Sequence, residues 1–219
     1  MPNDEDIVIW SGGKINKINI NSLNISEIPF QASANIKITR AVEFETPVSA
    51  DNFDAKVIRH ALSPNEKSIL FNALEHLYSM SLPNGKPKLL TTSNDFEFQP
   101  SFSPDENSII YVTWNDDNLG AIDWISTFGG SSSKLTTQKG IYRNPSYSHD
   151  GKHIVYRREG GNNEQGRTHS KNIGLYIMKA DGSTTKHISK EGEYAIFSKD
   201  NKRIVYQKGG QFFGALIKN

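Results

Sequence analysis

Ser103-Pro104-Asp105-Glu106-Asn107-Ser108-Ile109-Ile110-Tyr111 decides the fold, because the same phrase occurs four times along the chain. It stands earlier as Ser63-Pro64-Asn65-Glu66-Lys67-Ser68-Ile69-Leu70-Phe71, and later as Ser148-His149-Asp150-Gly151-Lys152-His153-Ile154-Val155-Tyr156 and Ser198-Lys199-Asp200-Asn201-Lys202-Arg203-Ile204-Val205-Tyr206. Successive copies are 40, 45 and 50 residues apart. Each begins after a large residue (Leu62, Phe102, Tyr147, Phe197), crosses a polar turn and enters three β-forming residues in a row. That order reads as strand, tight turn, buried strand. Asp, Asn and Gly suit the turn because they tolerate positive φ and, for Asp and Asn, hydrogen-bond the local backbone.

A second pair of strands follows each copy. Tyr78–Leu82, Ile122–Ser126 and Tyr176–Ala180 place large residues at alternate positions, as a strand with one packed face requires. Asn84-Gly85, Gly129-Gly130 and Asp181-Gly182 come next and supply the positive φ of hairpin turns. Lys88–Thr91, Lys134–Thr137 and Lys186–Ser189 complete the unit. Four short strands per unit of this length give an all-β chain of four-stranded antiparallel β-propeller blades, about four to five repeats. A β-sandwich is the alternative, but unrelated strands would not repeat their turn chemistry at matching offsets.

The repeats start near 59, 99, 144 and 194. Residues 1–31 read as a part-blade, since Ile7–Trp10 aligns with Ile69–Phe71 and Ile15–Ile20 with Leu77–Leu82. Residues 32–58 break the period and read as an inserted arm, and Phe212–Ile217 is the last strand-like segment. The expected architecture is a single propeller domain or propeller fragment over 1–219, incomplete at both ends. Open blade edges favour pairing, so either the two ends latch together or two copies form a homodimer.

The bulk numbers narrow the function classes. Lys and Arg (25) nearly balance Asp and Glu (24) in 219 residues, so no net field draws the chain to nucleic acid or to a membrane. With no cysteine, disulfides and thiolate metal sites are excluded, while the compartment stays undetermined. The acidic start, Met1 to Asp6, lacks the basic and apolar regions of a signal peptide.

The Ser-Pro-Asp-Glu and Ser-His-Asp-Gly turns resemble the PD40-type repeat of TolB-like and tricorn-like propellers. Trp10–Ile15, Glu27–Phe30, Phe96–Asp105 and Tyr111–Asp116 look like the propeller that precedes the metal-dependent amidohydrolase domain in large bacterial proteins. The resemblance implies a longer propeller, a hydrolase barrel with metal-holding histidines and aspartate, and a periplasmic or exported parent. This chain matches the C-terminal half of such a propeller and departs from the pattern at Asn65 and Asn201, which stand for the usual Asp and Gly.

No catalytic residue, metal site or cofactor is assigned from the sequence. The six histidines show no ligand spacing of helix type, and the pair His149/His153 spans a turn into a strand. Gly129-Gly130-Ser131-Ser132-Ser133 falls where a hairpin turn belongs rather than on a nucleophile elbow. Paired acids such as Asp116-Asp117 sit in Asn-rich loops. Binding is the better expectation, and in propellers it falls to the connections between blades.

Those connections are Asn94–Phe98, Gly140–Asn144 and Lys190–Tyr194, and each joins an aromatic to a charge. They give Asp95, Phe96, Glu97, Tyr142, Arg143, Glu193 and Tyr194 as candidate ligand- or partner-binding residues, although the same mixture also packs one blade on the next. A longer insertion from Arg157 to Asn172, read as a flexible loop, adds Arg157, Arg167 and His169. The expected function is a noncatalytic module that binds or gates peptide-like substrate, or docks a protein partner, for an amidohydrolase- or peptidase-type enzyme absent from this chain. The alternative is a propeller hydrolase or lyase with its own site at the channel mouth.

Overall fold

The computed structural model describes residues 5–36, 59–161 and 172–217. Most of the arm expected over 32–58 lies outside them, as do Arg167 and His169; residues 32–36 carry no regular secondary structure. The chain divides into two compact units, Met1–Asp54 with Asn162–Gly166, and Ala55–Gly161 with Arg167–Asn219.

In the first unit, β1 (Asp6–Ser11), β2 (Lys14–Asn19) and β3 (Ile25–Ile28) form one antiparallel sheet in that order. Gly12 and Gly13, at φ 60 and 75, make the two-residue turn between β1 and β2. Lys14 Nζ pairs with Glu27 Oε2 at 3.0 Å across β2 and β3.

Among the described residues the second unit forms four antiparallel sheets, each built from consecutive strands. The first sheet is β4 (Arg59–Leu62), β5 (Ser68–Ala73), β6 (His76–Ser81) and β7 (Lys88–Leu89). The second is β8 (Phe96–Phe102), β9 (Ser108–Trp114), β10 (Ala121–Ser126) and β11 (Ser133–Lys134). The third is β12 (Ile141–Tyr147), β13 (His153–Glu159), β14 (Gly174–Lys179) and β15 (Lys186–Ser189). The fourth has three strands, β16 (Glu193–Phe197), β17 (Arg203–Lys208) and β18 (Gln211–Leu216). These are the expected all-β blades.

The repeated turn folds the same way four times because its side chains satisfy its own backbone. In the third sheet Ser148 Oγ donates to Asp150 Oδ1 at 2.6 Å and accepts the His153 N–H at 2.9 Å, while Asp150 Oδ1 accepts the Lys152 N–H at 3.1 Å. Ser63 with Asn65, Ser103 with Asp105, and Ser198 with Asp200 repeat the pattern. The residue after the Asp or Asn position is left-handed in every copy: Glu66, Glu106, Gly151 and Asn201 have φ between 56 and 71. The serine hydroxyl holds the Asp105, Asp150 and Asp200 carboxyls below the ordinary carboxylate value. Ser148 is fully buried, so Ser148→Ala leaves the His153 N–H without the hydroxyl that accepts it and removes one of the two donors to Asp150 Oδ1. We expect a loss of roughly 1–3 kcal/mol in urea unfolding.

Turns also tie sheet to sheet. Glu106 accepts from the Asn65 backbone and side chain, and Asn201 Oδ1 accepts the His149 N–H at 2.8 Å. Alternation along the second strand does the rest. Ile109, Ile154 and Ile204 face the preceding sheet, while Leu70, Ile110 and Val155, one residue further from the Ser, face the following one. Three apolar clusters result, one at each junction, with these residues at their centres. Burial of such side chains stabilises each junction by roughly 1.5–3 kcal/mol apiece.

Candidate functional site

The first strands of successive sheets lie side by side, β4 next to β8, β8 next to β12 and β12 next to β16. The segments expected to be loops are their opening residues: Phe96–Phe98 belongs to β8, Ile141–Asn144 to β12 and Glu193–Tyr194 to β16. Similarly, Arg157, Arg158 and Glu159, expected to open a flexible insertion, continue β13. Their pairing with Leu175 and Gly174 of β14 and with β12 extends the ladder to Glu159.

Each of β8, β12 and β16 carries a β-bulge at one place in the repeat. Register shifts between Phe98 and Ser101, between Arg143 and Ser146, and between Glu193 and Ile196. Gln99, Asn144 and Tyr194, each four residues before the turn serine, are left-handed at φ 52, 50 and 51. Bulges take two residues out of the ladder and re-aim the strand, and here they do so around one opening. Left-handed backbone in residues other than glycine costs of order 1–3 kcal/mol and concentrates at functional sites.

The opening is a cavity of about 650 Å³ lined by His60, the three bulges, and Arg157 and Glu159 from the end of β13. Its charges are interlocked. Arg143 Nε lies 3.2 Å from Glu159 Oε2, and Arg157 Nη1 lies 2.9 Å from Glu193 Oε1 while donating to the Gly192 carbonyl at 2.7 Å. Arg157 Nε, 3.8 Å from Glu159 Oε1, has no hydrogen-bond acceptor among the described residues. Gln99 Oε1 accepts the Asn144 N–H at 2.9 Å, joining two bulges, and the Arg143 guanidinium stacks 5.0 Å from the Phe98 ring centre. Two cations, two anions, a histidine and an exposed tyrosine therefore face one space.

Four of the residues singled out from the sequence meet here: Arg143, Arg157, Glu193 and Tyr194. Asp95 accepts from Asn115 Nδ2 at 3.0 Å, and Phe96 rests against Phe98 with ring centres 5.4 Å apart. Glu97 is completely buried and accepts from the Leu77 N–H at 3.1 Å, the Ser93 hydroxyl at 2.8 Å and the Thr91 hydroxyl. Tyr142 is buried in the junction of the second and third sheets. Glu97 and Tyr142 stand at one repeat position, six residues before the turn serine, which points between blades. His60, Gln99, Asn144 and Glu159 also line the cavity, and all that Gln99 and Asn144 share in the sequence is their offset from the turn serine, with no common side-chain type to mark it.

Asp123, on β10, is only 8% exposed, and its Oδ1 has no hydrogen-bond partner among the described residues. Burial pushes its carboxyl up to about 6, opposed by Lys134 and reinforced by Asp95 and Glu97. The folded chain thus keeps a proton that the unfolded chain releases near 3.8. Stability from this group is complete below the unfolded value and falls as pH rises through about 6. Asp123→Asn removes that dependence, so the variant should gain on the wild type by roughly 2–3 kcal/mol between about pH 4 and pH 7 in paired urea titrations.

Among the described residues no group of three or more His, Asp or Glu side chains is close enough to hold a metal ion. The blades, their stacking and the cavity at their first strands define a β-propeller array, and its fold is the TolB-like and tricorn-like one. Against solved structures, the chain superposes on a putative TolB from Agrobacterium tumefaciens with TM-score 0.57 and 18% identity, covering 94% of this chain and 66% of that one. It superposes on an oligogalacturonate lyase in complex with manganese at TM-score 0.55 and 10% identity, covering 92% and 55%, and on the tricorn protease at 0.52 and 11%, covering 97% and 24%. The chain thus spans less than two thirds of the length of each. No family model matches the chain.

Proposed function

We propose that this chain is a noncatalytic binding module that holds peptide-like substrate, or a segment of a protein partner, at the cavity of its first strands. The enzyme served is an amidohydrolase or peptidase carried elsewhere. The observation that carries the reading is the convergence of three left-handed bulges and two Arg–Glu pairs on one space of about 650 Å³. A peptide offers N–H donors, carbonyls and both signs of charge, and this lining offers each a counterpart: the bulges release backbone from the ladder, and the ion pairs open to opposite charges. Its volume lies within the range of small-ligand sites, roughly 300–1,000 Å³, which suits a few residues of extended chain.

The test is equilibrium dialysis of the full chain against a mixed heptapeptide pool, read by mass spectrometry. Expected is enrichment of peptides with unchanged masses, weakened about tenfold or more by Arg143→Met, the loss of one charged hydrogen bond. Cleaved peptides, or turnover of oligosaccharides that is lost on chelation, would replace this reading with an enzyme at the same opening.

A further inference from the structure

In the first three sheets of the second unit a fourth strand closes the third: β7 on β6, β11 on β10 and β15 on β14, all antiparallel. Two adjacent residues do most of the work. The Leu90 and Leu135 N–H groups donate to the Leu77 and Ile122 carbonyls at 2.8 Å. The next residue returns a hydroxyl: Thr91 Oγ1 accepts the Leu77 N–H at 3.3 Å and Thr136 Oγ1 accepts the Ile122 N–H at 2.9 Å. In the third sheet Ser189 stands opposite Leu175. The side chains of Leu90, Leu135 and Ile188 then pack in the same apolar clusters as Leu77, Ile122 and Leu175.

The fourth sheet ends at β18 among the described residues. Phe212 holds the place of Leu77, Ile122 and Leu175, because it pairs with Gln207 as they pair with Asn72, Val112 and Arg157. By that equivalence its N–H and carbonyl point out of the sheet edge, and its ring is 81% exposed. Uncovered edges are commonly guarded by brevity, lysine or proline. The outermost strands β7, β11 and β15 are two to four residues long and each carries a lysine, Lys88, Lys134 and Lys186. β18 runs for six residues, Gln211 to Leu216, with no charge and no proline, which is the profile of an edge that takes a partner.

We propose that the open edge of β18 binds an extended segment of another protein chain as a fourth antiparallel strand, with an apolar residue followed by Thr or Ser beside Phe212. The apolar residue's N–H donates to the Phe212 carbonyl, its side chain covers the Phe212 ring, and the hydroxyl accepts the Phe212 N–H. Main-chain bonds then supply affinity and the two side chains selectivity. This edge lies across the sheet from β16, so the proposal does not depend on the reading given to the cavity of the first strands. The test uses the full ¹⁵N-labelled chain and a capped hexapeptide copying residues 87–92, at millimolar concentration, far above that of any one member of a mixed pool. Saturable shifts of the Phe212, Phe213 and Gly214 amides are expected, and Arg143→Met in the chain should leave them unchanged. Thr91→Val in the peptide should weaken binding about 3- to 10-fold, the increment of one neutral hydrogen bond, and Leu90→Asp in the peptide should abolish the shifts. No saturable shift at these amides, equal binding of the Thr91→Val peptide, or shifts that follow protein concentration alone, the mark of edge-to-edge pairing between two copies, would each overturn the assignment.

Discussion

Leu175→Ala lowers the stability of the chain by roughly 2–5 kcal/mol, whereas Phe212→Ala, at the same place in the repeat, changes it by less than about 0.5 kcal/mol. Leu77, Ile122, Leu175 and Phe212 pair in the sheets with Asn72, Val112, Arg157 and Gln207, each nine residues after the turn serine. The first three are completely buried, because a following sheet covers that face, but Phe212 is 81% exposed. Leu175 sits in the cluster that joins the third sheet to the fourth, against Ala195, Phe197 and Ile204. Truncating it empties space that rigid strands on both sides cannot close. Paired urea melts check the contrast, and equal losses would show that the repeat does not set the junctions. If two copies pair as expected from the sequence, the face of Phe212 and the half-open Ile196 offers the place, and Phe212→Ala then shifts the sedimentation of the chain rather than its fold.

Gly192→Ala is the second large effect, expected to cost roughly 2–5 kcal/mol and to weaken ligand retention with it. Gly192 has φ 120, a conformation that L side chains rarely adopt. An added Cβ would lie 2.5 Å from the Tyr206 ring and 2.8 Å from Leu175. The same residue supplies the carbonyl that holds Arg157 at 2.7 Å, so displacing it loosens the Arg157–Glu193 pair beside the bulge. Thermal unfolding together with the heptapeptide dialysis would show both losses. A variant with wild-type stability would mean that this strand start does not fix the site.

The turns were legible because their chemistry is local. Ser and Asp satisfy backbone groups only a few residues away, so the sequence pattern survives whatever the neighbouring sheets carry. The bulges were not legible, since Gln99, Asn144 and Tyr194 share a conformation without sharing a side-chain type, and the extra residue breaks the alternation that marks a strand. Position six before the serine holds Glu97, Tyr142 and Gly192, three residues with nothing in common except that each sits against a junction between blades. A charge beside an aromatic therefore looked like a binding loop where two of the three are junction residues. Arg158 was hidden in the same way: two adjacent arginines at the end of a strand face opposite sides, one toward the cavity of the first strands and one into the junction.

The most direct test of the central claim, that the first strands of the blades hold the ligand, is hydrogen–deuterium exchange of the full chain with and without a retained heptapeptide. Protection is expected at 99–101, 143–146 and 192–196 alone, around the three bulges. Protection confined to the serine turns or to the outer strands β7, β11 and β15 would contradict it.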